Sequence, residues 1–366
     1  MKIHWHRRGR SLCGLAGVLA FAAALALATQ AAQADEKVIL GLVTQPNLTY
    51  APHYMAKGAG YFKEEGLDVD IVPFDGSSTL VPQLAAKRIL IGWASPDILI
   101  LTHQPGKDPL PLRFFYNGSR VPPWEFVVPE ASPVKTLADL RGKKIGVGSL
   151  SFGNVPVTKA ILHELGMENG KDYELVPVGA GAAAFLALNR GLVDCLNLFD
   201  AAHANLEATG VKLRRLAQPA KFTNLTAHGF VTHEDNIKSQ PKVLIGFGRA
   251  FAKATVACEA APKQCVENFW RMFPNLKPTE GSEEKKLADA IAVLRYGMKK
   301  YLVFEGPRRY GSYTDAGLRN AVEALYAGGQ IATDKVDIAS LYTNQFVDDF
   351  NRFDAAAVAA DAAKRP

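Results

Sequence analysis

The chain has 366 residues, with 42 Lys and Arg against 36 Asp and Glu, for a formal charge of +6. Four of those cations, Lys2, Arg7, Arg8 and Arg10, precede an apolar run from Leu12 to Ala28, and without them +6 becomes +2. The rest carries no basic stripe, which excludes a nucleic-acid partner, and no Cys-x-x-Cys, His-Glu-x-x-His or Gly-x-Ser-x-Gly, so no motif supports metal, cofactor or serine-hydrolase chemistry.

The basic start, the apolar run and the small-x-small triplet Ala32-Gln33-Ala34 read together as a secretory signal peptide over residues 1–34, cleaved before Asp35. A membrane anchor is the weaker reading, because the run is marginal for a bilayer that needs ~20 apolar residues. Cys13 would leave with the peptide, and no Cys directly follows the run to carry a lipid. The expected location is the bacterial periplasm.

Strands are expected at 38–43, 69–74, 89–93 and 112–116, with helices starting near Tyr50, Ser78 and Pro96 between them. A new strand at 124–128 is followed by 144–148, 175–178, 195–199 and 212–216, separated by helices from Val155, Ala182 and Ala201. Such β-α-β alternation calls for an α/β fold of open, mostly parallel sheets with flanking helices. After a short strand at 230–232 the pattern turns helical, with helices expected at 241–258, 262–273, 282–300, 315–327 and 337–350 and a fraying Ala-rich end from Ala355. Cys258 and Cys265 bracket Pro262, which folds the chain back, and an oxidising compartment favours a disulfide between them. Cys195, inside an apolar strand, reads as a buried small hydrophobe.

No Ser/Gly/Pro linker separates the strand-rich parts. Two short breaks, at 117–123 and 219–224, imply an inserted second lobe. Lobe I then comprises 35–118 and 222–366, with the helical tail packed on it, and lobe II comprises 119–221. Two lobes on paired short segments make a hinge, over a cleft facing the carboxyl ends of both sheets.

Within this pattern, Gly60-Tyr61-Phe62-Lys63-Glu64-Glu65-Gly66-Leu67-Asp68-Val69 resembles a signature of the periplasmic substrate-binding proteins of ABC importers. The branch is the one that takes sulfonates, nitrate, taurine and thiamine-pyrimidine precursors. Thr136-Leu137-Ala138-Asp139-Leu140-Arg141-Gly142-Lys143-Lys144-Ile145-Gly146-Val147 is similar to a second segment of that branch, and Gly191-Leu192-Val193-Asp194-Cys195 to a third, with Cys for the usual Ala. The resemblance covers roughly residues 37–235. It implies a two-lobe type II periplasmic-binding-protein fold without catalysis, delivering a small solute to a membrane permease, with the chain acting as a monomer.

The ligand would meet the loops that leave the strand ends. From the first lobe these supply Gln45, Asn47, Tyr50 and His53, then Phe74, Gly76, Ser77 and Ser78, then Trp93, Ser95 and Asp97. From the second come Ser149, Ser151, Phe152, Gly153 and Asn154, and further on Asn197 and Asp200. Gly76-Ser77-Ser78 and Ser151-Phe152-Gly153-Asn154 open helices and offer N–H groups to an oxyanion, although capping alone explains such residues. Tyr50, Phe74, Trp93, Phe152 and Phe199 could sandwich a planar solute, with Trp93 the foremost wall and two or three of the five expected in the core. A sulfonate, taurine or nitrate is the first expectation. Asp75, Asp97 and Asp200 oppose a bare anion, and carboxylates facing the cleft favour an amine or ring N–H. The alternatives are therefore a pyrimidine or thiamine precursor, or an aromatic carboxylate. An exported enzyme using His53 with Asp75 or Asp97, or a sensor-partner protein, remain further readings. The histidines are not spaced as a metal set.

Overall fold

In the computed structural model the described residues are 1–2, 35–304 and 306–365, so the expected signal peptide lies outside them. The first strand, β1 (Glu36–Leu42), alternates exposed Lys37 and Ile39 with buried Val38 and Leu40 before becoming wholly buried at its carboxyl end. It pairs in parallel with β2 (Leu67–Pro73) on one side and β3 (Ile91–Ala94) on the other. Then β4 (Leu112–Asn117) ends the first pass, and the chain crosses to β5 (Trp124–Pro129), β6 (Lys143–Val147), β7 (Tyr173–Pro177), β8 (Cys195–Phe199) and β9 (Leu213–Arg215). It returns as β10 (Gly229–His233). The strands form two five-stranded sheets, ordered β2-β1-β3-β10-β4 and β7-β6-β8-β5-β9.

Each sheet holds one strand running against the others. In both it is the strand by which the chain arrives from a crossing: β10 is antiparallel to β3 and β4, and β5 is antiparallel to β8 and β9. The sheets are therefore mixed. The two crossings, 118–123 and 216–228, lie side by side, with the Ser119 N–H donating to the His228 carbonyl at 2.7 Å and the Ala227 N–H to the Ser119 carbonyl at 3.1 Å. Paired backbone in this position is what two brief connections need to satisfy their own donors and acceptors.

The tail is helical. Pro241 at the first position suits the start of the helix Pro241–Ala260, which buries Phe247 and Phe251 against Phe230 of β10 at 4.8 Å each. Pro262 restarts the chain as the helix Pro262–Met272, and Cys258 and Cys265 form a disulfide across the corner with Cα atoms 5.2 Å apart. Cys195 is buried and free.

The tail departs from expectation in three ways. Residues 337–350 break into Ile338–Leu341 and Val347–Phe350. Between them Tyr342 bridges to Phe114, the Thr343 N–H donates to the Phe114 carbonyl at 2.8 Å, and the Asn344 side chain clasps the Tyr313 backbone. The open edge of β4 thus takes the backbone that a continuous helix would have used. The Ala-rich end forms the helix Ala355–Ala362, capped by Asp354 and held by Arg365, which bonds the Ala59 carbonyl, pairs with Asp361 and lies 4.2 Å over Tyr61. Finally, the tail packs on both sheets' helices. The helix Glu283–Met298 lies against Asp200–Ala208, and Asp315–Ala327 against Asn154–His163, so the described residues from Glu36 onward cohere as one compact unit.

Candidate functional site

The carboxyl ends of the parallel strands of both sheets face one another across a narrow gap. A cavity sits there. The first sheet supplies Val43, Thr44, Asn47, Thr49 and Tyr50 after β1, Gly76 after β2 and Trp93 of β3. The second supplies Trp124, Phe152, Gly153 and Phe199. Ser119, Pro123 and His228 come from the crossings, and Lys300 and Tyr301 from the tail.

Aromatic rings dominate this wall. Trp124 stands edge-on to Phe199 at 6.3 Å, tilts against Phe152 at 6.3 Å and reaches His228 at 5.8 Å. His228 in turn stacks on Trp93, with centroids 6.1 Å apart and planes 11° from parallel. Trp93 is packed so deeply among His53, Phe230 and Phe251 that only part of its ring reaches the cavity, whereas Trp124 is half-buried and open to it. Burial lowers the His228 imidazole to about 3, with the Lys300 charge adding to the effect, so it is neutral at physiological pH. No described residue hydrogen-bonds its ring, which leaves a donor and an acceptor for a ligand. The Thr49 hydroxyl also has no partner among the described residues.

Charge in the wall is compensated internally. The Lys300 ammonium donates to both carboxylate oxygens of Asp200 at 2.9 Å, and Asp200 also accepts from the Ala201 N–H at 2.7 Å. Asp200 therefore sits in the first turn of its helix and neutralises the lysine. Burial raises its carboxyl, with the ammonium opposing that rise.

The gap is bridged by hydrogen bonds. The Ser78 N–H donates to the Ser151 carbonyl at 3.3 Å, the Ser149 hydroxyl to the Asp75 carboxylate at 3.0 Å, and the Ser151 hydroxyl to the Asp75 carbonyl. Two glycines permit this approach. Gly76 has a φ of +86°, and a Cβ on it would lie 2.3 Å from the Ser151 carbonyl oxygen. A Cβ on Gly153 would lie 1.9 Å from the Ser95 hydroxyl oxygen.

Of the residues singled out from sequence, Asn47, Tyr50, Gly76, Trp93, Phe152 and Gly153 line the cavity, as does Phe199. The remainder lie elsewhere. Gln45 is exposed, with its carbonyl accepting from Asn47, and Phe74 packs against the core. His53 is fully enclosed beneath the floor, edge-on to Tyr50 and Trp93, and burial lowers it to about 3. Ser77 and Ser95 bond each other at 3.3 Å, and Ser78, Ser149 and Ser151 are spent on the bridge. The helix openings expected to take an oxyanion thus hold each other instead. Asn154 donates to Asn197 at 2.6 Å, and Thr158 to Asn197 at 2.7 Å, inside the second sheet's own core. Ser95 and Asp97 line a second, adjoining space that shares Trp124 and Gly153 with the first.

Sequence reasoning missed Ser119, Pro123, Trp124, His228, Lys300 and Tyr301. Trp124 and His228 have a discoverable signal. They stand where antiparallel strands begin, and the beginning of such a strand lies at the same end of the sheet as the carboxyl ends of its parallel neighbours. Lys300 and Tyr301 arrive from the tail with no local motif.

Comparison with known proteins agrees with this geometry. The NMT1/THI5 like family model matches residues 47–265. The riboflavin-binding protein RibY of Chloroflexus aurantiacus is 24% identical over 319 residues, which cover 85% of this chain and 86% of that one. A putative thiamine biosynthesis protein of Haemophilus influenzae is 29% identical over 259 residues, 68% of this chain and 76% of its own. Among solved structures, the alkanesulfonate-binding protein SsuA of Xanthomonas axonopodis pv. citri, bound to MOPS, is similar with a TM-score of 0.62 at 18% identity, covering 85% of this chain and 99% of that one. That likeness establishes the two-lobe periplasmic-binding-protein fold. The family match spans more than half of the sequence, and the chain belongs to the NMT1/THI5-like family.

Proposed function

We propose that this chain is the solute-binding component of an uptake system, exported to the periplasm, where it captures a planar heteroaromatic solute of the pyrimidine or flavin kind and presents it to a membrane permease. One observation carries the choice of solute. The wall is built of Tyr50, Trp93, Trp124, Phe152, Phe199 and Tyr301, while its one ammonium, Lys300, is already neutralised by Asp200. A ring gains from stacking on such faces, whereas a sulfonate or nitrate meets no free counter-charge and must give up its hydration. RibY, named for binding riboflavin, and the Haemophilus protein, named for thiamine biosynthesis, point the same way.

Closure follows from the hinge. The bridges from Ser149 and Ser151 to Asp75 form only when the two sheets approach, so a solute that fills the cavity favours the closed form by its greater contact there. An enzymatic reading loses its main support, because His53 is enclosed and has no access to the cavity.

Titration of the mature chain with a methylated aminopyrimidine, riboflavin, an alkanesulfonate, taurine and nitrate, followed by tryptophan fluorescence and calorimetry, tests the reading. A ring compound is expected to quench Trp124 and to bind without being altered. Binding of taurine or nitrate with no response to any ring would overturn it.

A further inference from the structure

We infer that Asp97 is the specificity-determining residue of the site, accepting a hydrogen bond from an amine or ring N–H on the captured solute. The inference rests on the heteroaromatic reading and narrows its substrate class. Asp97 opens the helix Asp97–Thr102 just after β3 and is 5% exposed. It lines a space whose other walls include Val157, Leu225, Ala321 and Leu325 beside Ser95 and Thr226, with no cation among the lining residues. No ion pair to Asp97 exists among the described residues, in contrast to Asp200 and its lysine. This space and the aromatic cavity share Trp124 and Gly153. Because Gly153 has no side chain, the partition is thin there: a Cβ on Gly153 would stand 3.2 Å from an Asp97 carboxylate oxygen.

A carboxylate without a counter-ion in apolar surroundings is costly for the free protein. Burial moves this one up to about 7, against the pull of the Ser95 hydroxyl and its own backbone N–H. Groups held at such a cost are characteristic of binding sites, where the partner arrives with the ligand. A ring lying against Trp124 with a donor on the edge nearest Gly153 would supply it. A ring bearing a carboxylate or sulfonate on that edge would be repelled.

The test uses two isosteres that differ only in the donor, 4-amino-2,5-dimethylpyrimidine and 2,4,5-trimethylpyrimidine, with the mature chain and its Asp97→Asn variant. The wild type is expected to bind the amine at least ~10-fold more tightly, the scale of a hydrogen bond to a charged group. In Asp97→Asn that ratio should collapse towards one, while the ligand-free variant melts several degrees higher at about pH 8, because an unpaired buried charge has been removed. An unchanged ratio, or a variant that melts lower than wild type, overturns the role of Asp97 and leaves the aromatic reading standing. A wild-type chain that binds neither ring, nor riboflavin, overturns both.

Discussion

Replacing Gly76 with alanine tests whether the bridged cleft is the ligand-holding form. The new Cβ would sit 2.3 Å from the Ser151 carbonyl oxygen and 2.6 Å from its carbon, below the 3.0 Å that real Cβ atoms respect. Both neighbours are backbone, so no side-chain rotation relieves the clash and the cleft must widen by about 1 Å. Widening breaks the Ser78 to Ser151 hydrogen bond and strains the two serine contacts to Asp75. At ~1 kcal/mol each, these contacts are worth two to three kcal/mol in the closed form, or roughly thirty- to hundredfold in solute affinity. The φ of +86° adds local strain, but open and closed forms share it, so it lowers the melting temperature and not the affinity. Gly153→Ala separates the two effects. Its φ of −65° suits alanine, yet its Cβ would press 1.9 Å from the Ser95 hydroxyl oxygen and 3.0 Å from the Ser95 Cβ. Calorimetry gives the affinity, and small-angle scattering shows whether solute still contracts the chain. Both variants binding within about threefold of wild type, with normal contraction, would refute the assignment of these contacts to the loaded state.

Three further outcomes are expected. The Asp97 carboxyl ionises at the ordinary 3.8 when unfolded and is pushed up to about 7 by burial when folded, so the folded chain holds the proton more tightly. Stability should therefore fall as pH rises through that window, by up to about 4 kcal/mol, and stay flat above it; the difference in urea unfolding between wild type and Asp97→Asn should grow in the same window, and a constant difference would refute the point. Lys300→Met leaves Asp200 buried without its ammonium, and should cost about 3–5 kcal/mol in denaturant unfolding at neutral pH, part of it restored by adding Asp200→Asn. Replacing Cys258 and Cys265 with serine opens a short loop closed at a sequence separation of 7, and should cost about 2–3 kcal/mol, read as a lower midpoint in urea.

Most strands were legible as apolar or alternating runs bounded by Gly, Pro or polar turns, and 195–199 coincides with β8 to the residue. The helix 315–327 is likewise where its amphipathic pattern puts it. What escaped was set by partners remote in sequence. Residues 342–344 carry no breaker strong enough to end a helix; the open edge of β4 draws them out of it. His53 reads as near the cleft because it follows the first loop, but the helix Pro241–Ala260 covers Ala51–Gly58 and shuts its ring away among Trp93, Phe230 and Phe251. Serines at the helix openings look like anion receptors in isolation, and only the opposite sheet shows that their groups are taken.

The antiparallel strands explain both the missed residues and the proposed coupling between binding and closure. Because β5 and β10 run against their neighbours, the chain must pass the mouth of the cleft each time it crosses between sheets. The crossings therefore serve as connection and as wall: Ser119, Pro123, Trp124 and His228 touch the cavity, while Ser119 and His228 also pair the two segments. On the proposed function, a solute stacked on Trp124 and His228 would press on the very residues whose backbone would bend as the sheets approach. Binding and hinge motion would then be linked through direct contact, with no signal travelling through the core.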